Sequence, residues 1–584
     1  MRRQLRSLVL AVSIAGLPIV GWGGDGISVG AIRVDATLEA IGVLWPADGD
    51  DNGDSSFELE FRRKGESVWR AAAPAMRARS DLVIDGRPLG ESYWAASALF
   101  LESGATYELR ATLVDPDGGG ATQTLSATTR REQQASPTGR KRYVVPGDGG
   151  GDGSSDKPFR GLQTAADNAA PGDIFHVAPG THGSFQIRIS GAEGAPIVFR
   201  GPGRGGAVVD GAGTERGVVT VGTGGSKPIA HVIVEDLTIE NGRWGIDIQH
   251  GSNITIRRNH IREVDYGVIN RRMSNHERDQ TVCDNVIEGR TPWPGSGIPS
   301  ERGIDLRGWG NVICHNRVRN FGDCVSLQPT SGPSYGNDVY GNDAAFCVDD
   351  GIEIDYNEAN VRVWRNRVYN ARMGVSVQPI RGGPAYILRN EFFNLESNCL
   401  KLHNSPAGVI VVHNTGVKLA HAVRDASGSI WRNAIFRNNV FLGTGYAFEF
   451  RTVARDGFRD LDYNAWGTAR SGRSGQPRFK WNNVRYHRLA DLQSATGQER
   501  HGMTAEFSHL VNTRRPRSWQ EPVDPSSRDL RLTKDAPEID AGQELLNLND
   551  AFTIDGLPDQ GAFEFGHPLP EYGPREESGL ELEH

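Results

Sequence analysis

Four carboxylates fall within seven residues in Cys347-Val348-Asp349-Asp350-Gly351-Ile352-Glu353-Ile354-Asp355. A further aspartate stands in Gly322-Asp323-Cys324-Val325-Ser326, a segment with the same local pattern. If the two segments stack on adjacent turns of a repeating structure, Asp323 lies about 4.8 Å from Asp350. Carboxylates that close repel one another. A proton, an intervening arginine or a cation relieves the repulsion. Hard oxygen ligands without a His–Cys set favour calcium over zinc. The competing reading is a structural acidic turn, because Asp is a common turn residue. Downstream, Cys399-Leu400-Lys401-Leu402-His403 sets a lysine and a histidine at alternate positions, a pattern suited to proton transfer or substrate binding.

These residues need a scaffold that stacks them, and the chain carries its signature. Asn366, Asn390, Asn414 and Asn438 recur every 24 residues, and Asn342, Asn316, Asn285 and Asn259 continue the series backwards at intervals of 24, 26, 31 and 26. The same stretch of chain carries Gly-apolar-x-apolar strands: Gly245-Ile246-Asp247-Ile248, Gly303-Ile304-Asp305-Leu306, Gly351-Ile352-Glu353-Ile354 and Gly374-Val375-Ser376-Val377. One such repeat cannot bury its own apolar face, whereas a stack of them buries a continuous core. Asparagines at one turn position can then pass amide hydrogen bonds along the stack. The pattern predicts an all-β chain with a right-handed parallel β-helix over residues 142–466.

Alternation turns the apolar positions inward and the x positions outward. Aligned rungs give a first outward column of Asp247, Ile269, Asp305, Ser326, Glu353, Ser376, Lys401 and Glu449. The second column is Gln249, Arg271, Arg307, Gln328, Asp355, Gln378, His403 and Arg451. Acids, Arg, Gln and one Lys–His pair are concentrated on one ridge, which suits a polymer chain. A merely solvated face is the bland alternative.

Asp349-Asp350-Gly351-Ile352-Glu353, with Asp323 before it and Cys399-Leu400-Lys401-Leu402-His403 after it, resembles the calcium site and catalytic lysine of family-9 pectate lyases. The resemblance implies Ca2+ bound by Asp323, Asp349, Asp350 and Glu353, with Lys401 as the base. Glu353 departs from an aspartate in that family, and His403-Asn404 from a glycine pair. The implied reaction is β-elimination on a uronic-acid polymer. A base takes the proton α to the carboxylate, and metal or guanidinium charge stabilises the enolate. His403 and Arg307 join Lys401 as catalytic candidates. Arg271, Asp305, Gln328, Gln378, Arg451 and Trp309 are the expected substrate contacts, with arginines gripping carboxylates in fork geometry. Two other chemistries share the ridge: hydrolysis by a carboxyl pair drawn from Asp305, Asp350, Glu353 and Asp355, and C5-epimerisation. A non-catalytic carbohydrate-binding or adhesin solenoid is the rival outside enzymology.

The remaining chain frames this unit. Residues 27–130 alternate with period two between Gly, Asp and Pro, predicting a small antiparallel sandwich with Trp45 and Trp69 in its core. Gly104-Ala105-Thr106-Tyr107-Glu108-Leu109-Arg110 and Thr124-Leu125-Ser126-Ala127-Thr128-Thr129 resemble fibronectin type III modules, which space or dock. A polar linker follows over residues 131–141. Lys157 to Ala166 and Gly172 to Val177 resemble the N-terminal cap of exported β-helix polysaccharide enzymes. Residues 467–579 are expected to pack on or cap the helix. Arg2, Arg3 and Arg6 before an apolar Leu8–Val20 run predict a signal peptide over residues 1–24 and a secreted or periplasmic protein, an uncleaved anchor being the alternative. Leu580-Glu581-Leu582-Glu583-His584 resembles a tag remnant.

Composition sets bounds on this reading. Among 584 residues, 38% are hydrophobic, which excludes a mainly disordered chain. Lys+Arg 64 against Asp+Glu 72 gives a net charge of −8, which argues for no nucleic-acid partner and no basic membrane-binding face. The expected partner is an anionic polysaccharide and the expected state a monomer, with no membrane span after signal cleavage. Five cysteines exclude a disulfide-dense scaffold. Cys283 and Cys314 fall two residues before ladder asparagines on adjacent rungs, a placement that allows stacking; a disulfide is open to an exported protein, but vertical stacking strains its geometry and buried thiols are the expectation. Trp293, Trp309 and Tyr335 are loop aromatics available to sugar rings or to packing.

Overall fold

The structure, a computed structural model, describes residues 25–575 other than 226, 273–276, 330–331, 426–428, 431, 454–458, 470–477, 551 and 554–555. The expected signal peptide (1–24) and tag remnant (580–584) lie outside the described residues. Two long sheets, of fourteen and twenty strands, build a parallel β-helix. Its interior is one continuous apolar cluster running from Val144 and Phe159 to Trp481 and Leu492. A short helix, Leu162–Asp167, turns Leu162, Ala165 and Ala166 into the first rungs and closes that end of the core. Among the described residues no helix is long and apolar enough to cross a membrane.

The asparagine ladder explains how so long a stack holds its turns. Asn390 Nδ2 donates to Asn414 Oδ1 at 3.0 Å and to the Val363 carbonyl at 3.0 Å, and its Oδ1 accepts from Asn366 N–H at 3.0 Å. The residue before each ladder asparagine adopts positive φ: Arg258 55°, Asp284 60°, His315 51°, Arg365 51°, Arg389 52° and His413 54°. Left-handed backbone costs about 1–2 kcal/mol in a residue other than glycine, and the ladder's hydrogen bonds hold the turn there. This corrects one expected member. Asn438 occupies the left-handed position (φ 56°), so Asn439 carries the ladder, accepting from Asn414 N–H at 2.9 Å and donating to Asn464 at 2.8 Å. The ladder ends on the Glu499 carboxylate, 2.8 Å from Asn464 Nδ2.

The glycines that open the strands are required by the stack. A Cβ on Gly351 would lie 2.2 Å from Val368 Cγ1, and one on Gly374 would lie 2.3 Å from the Cys399 carbonyl.

At the N-terminus, two antiparallel sheets enclose Trp45, Phe57, Leu59, Phe61, Tyr107 and Leu109. Trp69 does not join this core. It lies half-buried outside, under the guanidinium groups of Arg62 and Arg110 at 4.4 and 4.6 Å. The unit is docked on the solenoid. Arg362, fully buried, pairs with Asp338 at 2.5 Å and with Asp35 of the sandwich at 3.2 Å. Leu38, Ala73, Met76 and Leu99 pack against Tyr340, Trp364 and Tyr386 of the helix. The polar linker also lies against the solenoid, where Glu132, Gln133 and Gln134 all bond Arg257.

The solenoid extends beyond the expected 142–466. Arg140–Val145 is already a strand of the stack, and Phe479–Trp481 and Met503–Thr504 continue it. The C-terminal segment then runs back along its flank. Val523 N–H donates to Asn370, Gly561 N–H donates to the Asn438 carbonyl, and Arg575 pairs with Asp284 at 2.5 Å. The cysteines differ from the expectation of buried thiols. Cys283–Cys314 and Cys324–Cys347 are disulfides, and buried Cys399 is free. Each pair sits on neighbouring rungs, where parallel stacking brings the two Cα atoms within bridging range.

Candidate active site

The first outward column forms in register on the twenty-stranded sheet. Asp247, Ile269, Asp305, Ser326, Glu353, Ser376 and Lys401 are successive Cα partners. One rung escaped the sequence alignment: Lys401 pairs with Arg424, and Arg424 with Glu449. That rung, Val423-Arg424-Asp425, carries Asp425 at the position that is apolar in its neighbours, Leu402 and Phe450, so it breaks the apolar-x-apolar pattern. A second correction concerns Gln249. A register shift after Ile248 pairs Gln249 with Arg272, not Arg271.

The column turns away from the apolar core, yet it is not an exposed ridge. Asp247 and Ser326 are fully buried, and Asp305, Glu353, Lys401 and Glu449 are 7%, 6%, 9% and 8% exposed. The side chains cover one another through ion pairs. Arg302 is the hub. Its Nε lies 3.0 Å from Asp323 Oδ2, Nη2 3.4 Å from Glu353 Oε2 and Nη1 3.8 Å from Asp305 Oδ2. Sequence reasoning missed Arg302, although it is the Cα partner of Asp323 and carrying the Asp323–Asp350 stack one rung back would have reached it. Arg372, also missed, lies 3.2 Å from Asp349.

The predicted ligands, joined by Asp355, divide into two overlapping groups. Asp323, Asp349 and Asp350 bring one oxygen each within 4.8 Å of one another, and so do Asp350, Glu353 and Asp355. Asp350 N–H donates to Asp323 Oδ1 at 3.1 Å, which fixes the two rungs together. Asp350 Oδ1 is buried without a hydrogen-bond partner, as is Asp305 Oδ1. Asp305, Asp323, Asp349, Asp350, Glu353 and Asp355 face Arg302, Arg307, Arg372 and Lys401, an excess of negative charge that one divalent cation would balance. Burial, followed by the neighbouring Glu353 charge, pushes Asp323 up to about 7 and Asp355 up to about 8. All-oxygen donors of this kind fit calcium.

Lys401 reaches this cluster from two rungs away, its Nζ donating to Asp350 Oδ2 at 2.9 Å. Burial lowers its pKa, but the charges of Asp350 and Asp355 outweigh that and raise it above the ordinary lysine range. His403 goes the other way. Burial, followed by the positive charges of Lys401, Arg424, Arg372 and Arg451, pushes its imidazole down to about 4, so it is neutral at pH 7. Lys418, nearby in sequence, is fully buried and pushed down to about 8 by burial, with no face toward solvent.

The remaining expected contacts are spread along the helix. Arg307 is 4% exposed and bonds Asp305 Oδ2 at 2.6 Å, so it is a buried partner of the acids and not a surface grip. Gln328 Oε1 accepts from Arg302 at 3.4 Å, and Gln378 N–H donates to Asp355 at 2.7 Å, with both side chains half-buried beside the cluster. Arg451, two rungs beyond Lys401, lies 3.5 Å from Glu449. Arg271 covers Trp244 at 4.2 Å and pairs with Asp247, five rungs (roughly 24 Å) from Lys401. Trp309 is stacked on Tyr335 at 5.9 Å and bonded through its carbonyl to Asp279, on the side where Arg130 packs. Trp293 packs against Phe346 and Trp519. An open cleft of about 330 Å3, lined by Arg372, Glu396, Ser397, Ala420, His421 and Arg424, adjoins the Lys401 rung.

A family described as a right-handed β-helix region matches residues 244–416, which gives the solenoid its hand. An uncharacterized protein, YwoF, of Bacillus subtilis (strain 168) is 31% identical over 133 residues, 21% of this chain and 28% of that protein, so the match spans under a third of its relative. Among solved structures, pectate lyase Pel9A is similar with a TM-score of 0.38 and 19% identity over 73% of this chain and 96% of that one. XylC in complex with xylose gives 0.41 and 11% identity over 58% and 85%. An alginate lyase from Paenibacillus sp. str. FPU-7 gives 0.30 and 15% identity over 55% and 96%. Likenesses of this size concern the shape of the solenoid. The chemistry rests on the residues.

Proposed function

We propose that this chain is an exported polysaccharide lyase that cleaves a uronate-containing polymer by β-elimination. The observation that carries the reading is the reach of Lys401 across two rungs to Asp350, at the edge of a carboxylate cluster with an unpartnered buried oxygen. Asp323, Asp349, Asp350 and Glu353 are the residues that would hold calcium. Bound there, the ion would neutralise the Asp350 charge that now keeps Lys401 protonated and would offset the substrate carboxylate.

The chain's own residues supply the rest. Arg372 and Arg424 line the cleft beside Lys401 and suit the carboxylates of an anionic polymer. Lys401 Nζ accepts the proton α to the uronate carboxylate. The released electron pair forms a carbon–carbon double bond as the neighbouring carbon–oxygen glycosidic bond breaks, and the leaving oxygen takes a proton from water. Arg302 and Arg307 hold the acids in place through ion pairs. His403, neutral and two residues from the base, is an uncharged neighbour that does not oppose proton uptake by Lys401.

The test is ultraviolet absorbance of unsaturated product over a panel of anionic polysaccharides, with calcium, with chelator and with Lys401→Ala. A calcium-dependent rise abolished by Lys401→Ala is expected. New reducing ends without absorbance would move the chemistry to hydrolysis by Asp305, Asp350, Glu353 and Asp355. Polymer binding without any turnover would make the chain a carbohydrate-binding solenoid.

A further inference from the structure

A second set of oxygen donors stands on the N-terminal sandwich and takes no part in the chemistry above. The strand Ile41–Gly49 runs out into Asp48-Gly49-Asp50-Asp51-Asn52-Gly53-Asp54, where carboxylate or amide side chains occupy every second position. Gly53, at φ 77°, follows the third of them. Alternating oxygen donors followed by a turning glycine are the first half of a calcium loop. The twelfth position counted from Asp48 is Leu59, so no glutamate completes such a loop within this segment. A neighbouring turn supplies carboxylates instead. The connection between Thr106–Val114 and Ala121–Thr128 brings Asp115 and Asp117 alongside, with Asn52 Nδ2 donating to Asp117 Oδ2 at 2.7 Å.

Asp50, Asp54 and Asp115 each place one carboxylate oxygen within 4.8 Å of the other two. Asp50 is fully buried and pairs with Arg77. The independent sign of a ligand is Asp115. It is 7% exposed, its Oδ1 accepts from Asp117 N–H at 2.8 Å, and its Oδ2 is buried with no hydrogen-bond partner. A buried carboxylate with one oxygen unpaired, close to two further carboxylates, is an unfavourable arrangement without a cation between them.

We propose that Asp50, Asp54 and Asp115 form a divalent-cation site, with calcium as the ion, separate from the carboxylates of the solenoid. Hard oxygen donors from two loops suit calcium in preference to a transition metal. The site would tie three parts of the sandwich at one end. Ile27 N–H donates to the Gly118 carbonyl and Asp50 N–H to the Gly26 carbonyl, so the first strand is anchored on the same two loops. Its role is therefore to fix these loops and the first strand together, with an affinity on the order of 10⁻⁴–10⁻³ M, as in extracellular modules.

Trp94 makes the site observable. Its Nε1 donates to Ser55 Oγ at 3.2 Å, and Ser55 Oγ donates to Asp50 Oδ2 at 2.5 Å. Terbium bound at Asp50 would therefore luminesce on tryptophan excitation. The experiment uses the full chain stripped of metal, titrated with calcium by calorimetry and with terbium by luminescence. Asp54 is exposed, so Asp54→Asn leaves the fold intact and should weaken this calcium-binding step at least tenfold. Trp94→Phe should cut the sensitised luminescence while leaving calcium binding in place. Calcium stoichiometry and affinity in Asp54→Asn and Asp115→Asn equal to those of the unmodified chain would overturn the proposal. So would terbium luminescence indifferent to both Asp54→Asn and Trp94→Phe.

Discussion

Lys401 and Asp350 stand 51 residues apart in the chain, yet Nζ and Oδ2 meet at 2.9 Å, with the rung of Ser376 between the strands that carry them. The pair joins a lysine of the outward column to the most buried carboxylate of the acidic cluster. As it stands, Asp350 holds Lys401 in its charged form, so a base role depends on engaging Asp350 elsewhere.

Lys401→Ala should therefore lower kcat/KM on the substrate polymer by about 10²–10⁴, the usual contribution of a positioned proton acceptor. Binding of the polymer to the cleft at Arg372 and Arg424 should survive. Steady-state kinetics combined with equilibrium binding makes the check, and equal losses of binding and turnover would assign Lys401 to substrate recognition.

Arg362 provides a test of how the sandwich is docked. Its guanidinium is fully buried between Asp338 of the solenoid and Asp35 of the sandwich, and Nη1 donates to Ser97 Oγ at 3.2 Å. Arg362→Met leaves two buried carboxylates without a counter-charge, a loss of about 3–5 kcal/mol. Chemical denaturation would read the loss, and limited proteolysis would show whether the N-terminal unit is released first.

The ladder can be probed at Asn390. Asn390→Ala removes the amide that serves Asn366, Asn414 and Val363, leaving buried groups unpaired at about 1–3 kcal/mol each. The predicted outcome is a lower denaturation midpoint with the apolar core unchanged. A midpoint equal to that of the parent chain would mean that water takes the place of the amide.

Glu499 gives a pH dependence whose sign can be worked out. Burial pushes its carboxyl up to about 8, against an ordinary value of 4.5, despite hydrogen bonds from Trp466 and Asn464. Between those two values the folded chain binds a proton that the unfolded chain does not. Its stability contribution is thus fully present below about pH 4.5 and is lost as pH rises through about 8. At about 1.4 kcal/mol per unit of pKa difference, the loss amounts to a few kcal/mol. Denaturation at pH 5.5 and 8.5 should show a smaller difference in Glu499→Gln than in the parent chain. An identical difference would remove Glu499 as the cause.

Much of the solenoid was legible because its information is periodic. The spacing of Asn366, Asn390 and Asn414 and the Gly-apolar-x-apolar strands predicted the rungs, and the column from Asp247 to Lys401 formed with the expected partners. Local repetition carries this because each rung must bury the same face against the next. Where a rung broke the pattern, alignment failed. Val423-Arg424-Asp425 has an acid at its second apolar position and does not match the pattern, and the 24-residue spacing points to Asn438 although only the residue after the left-handed turn, Asn439, can carry the ladder.

The sequence by itself determined which residues share a column, because strand alternation and repeat length dictate register. Only the tertiary structure decided what those residues do to one another. Arg302 lies off both columns, yet it reaches Asp305, Asp323 and Glu353 across three rungs, and the expected ridge is in fact covered by its own ion pairs. The docking of Asp35 on Arg362 and the pairing of Cys324 with Cys347 are of the same kind. Register is set by backbone hydrogen bonds that repeat from rung to rung. Side-chain reach, burial and charge depend on groups that meet from distant parts of the chain, and no local pattern encodes those meetings.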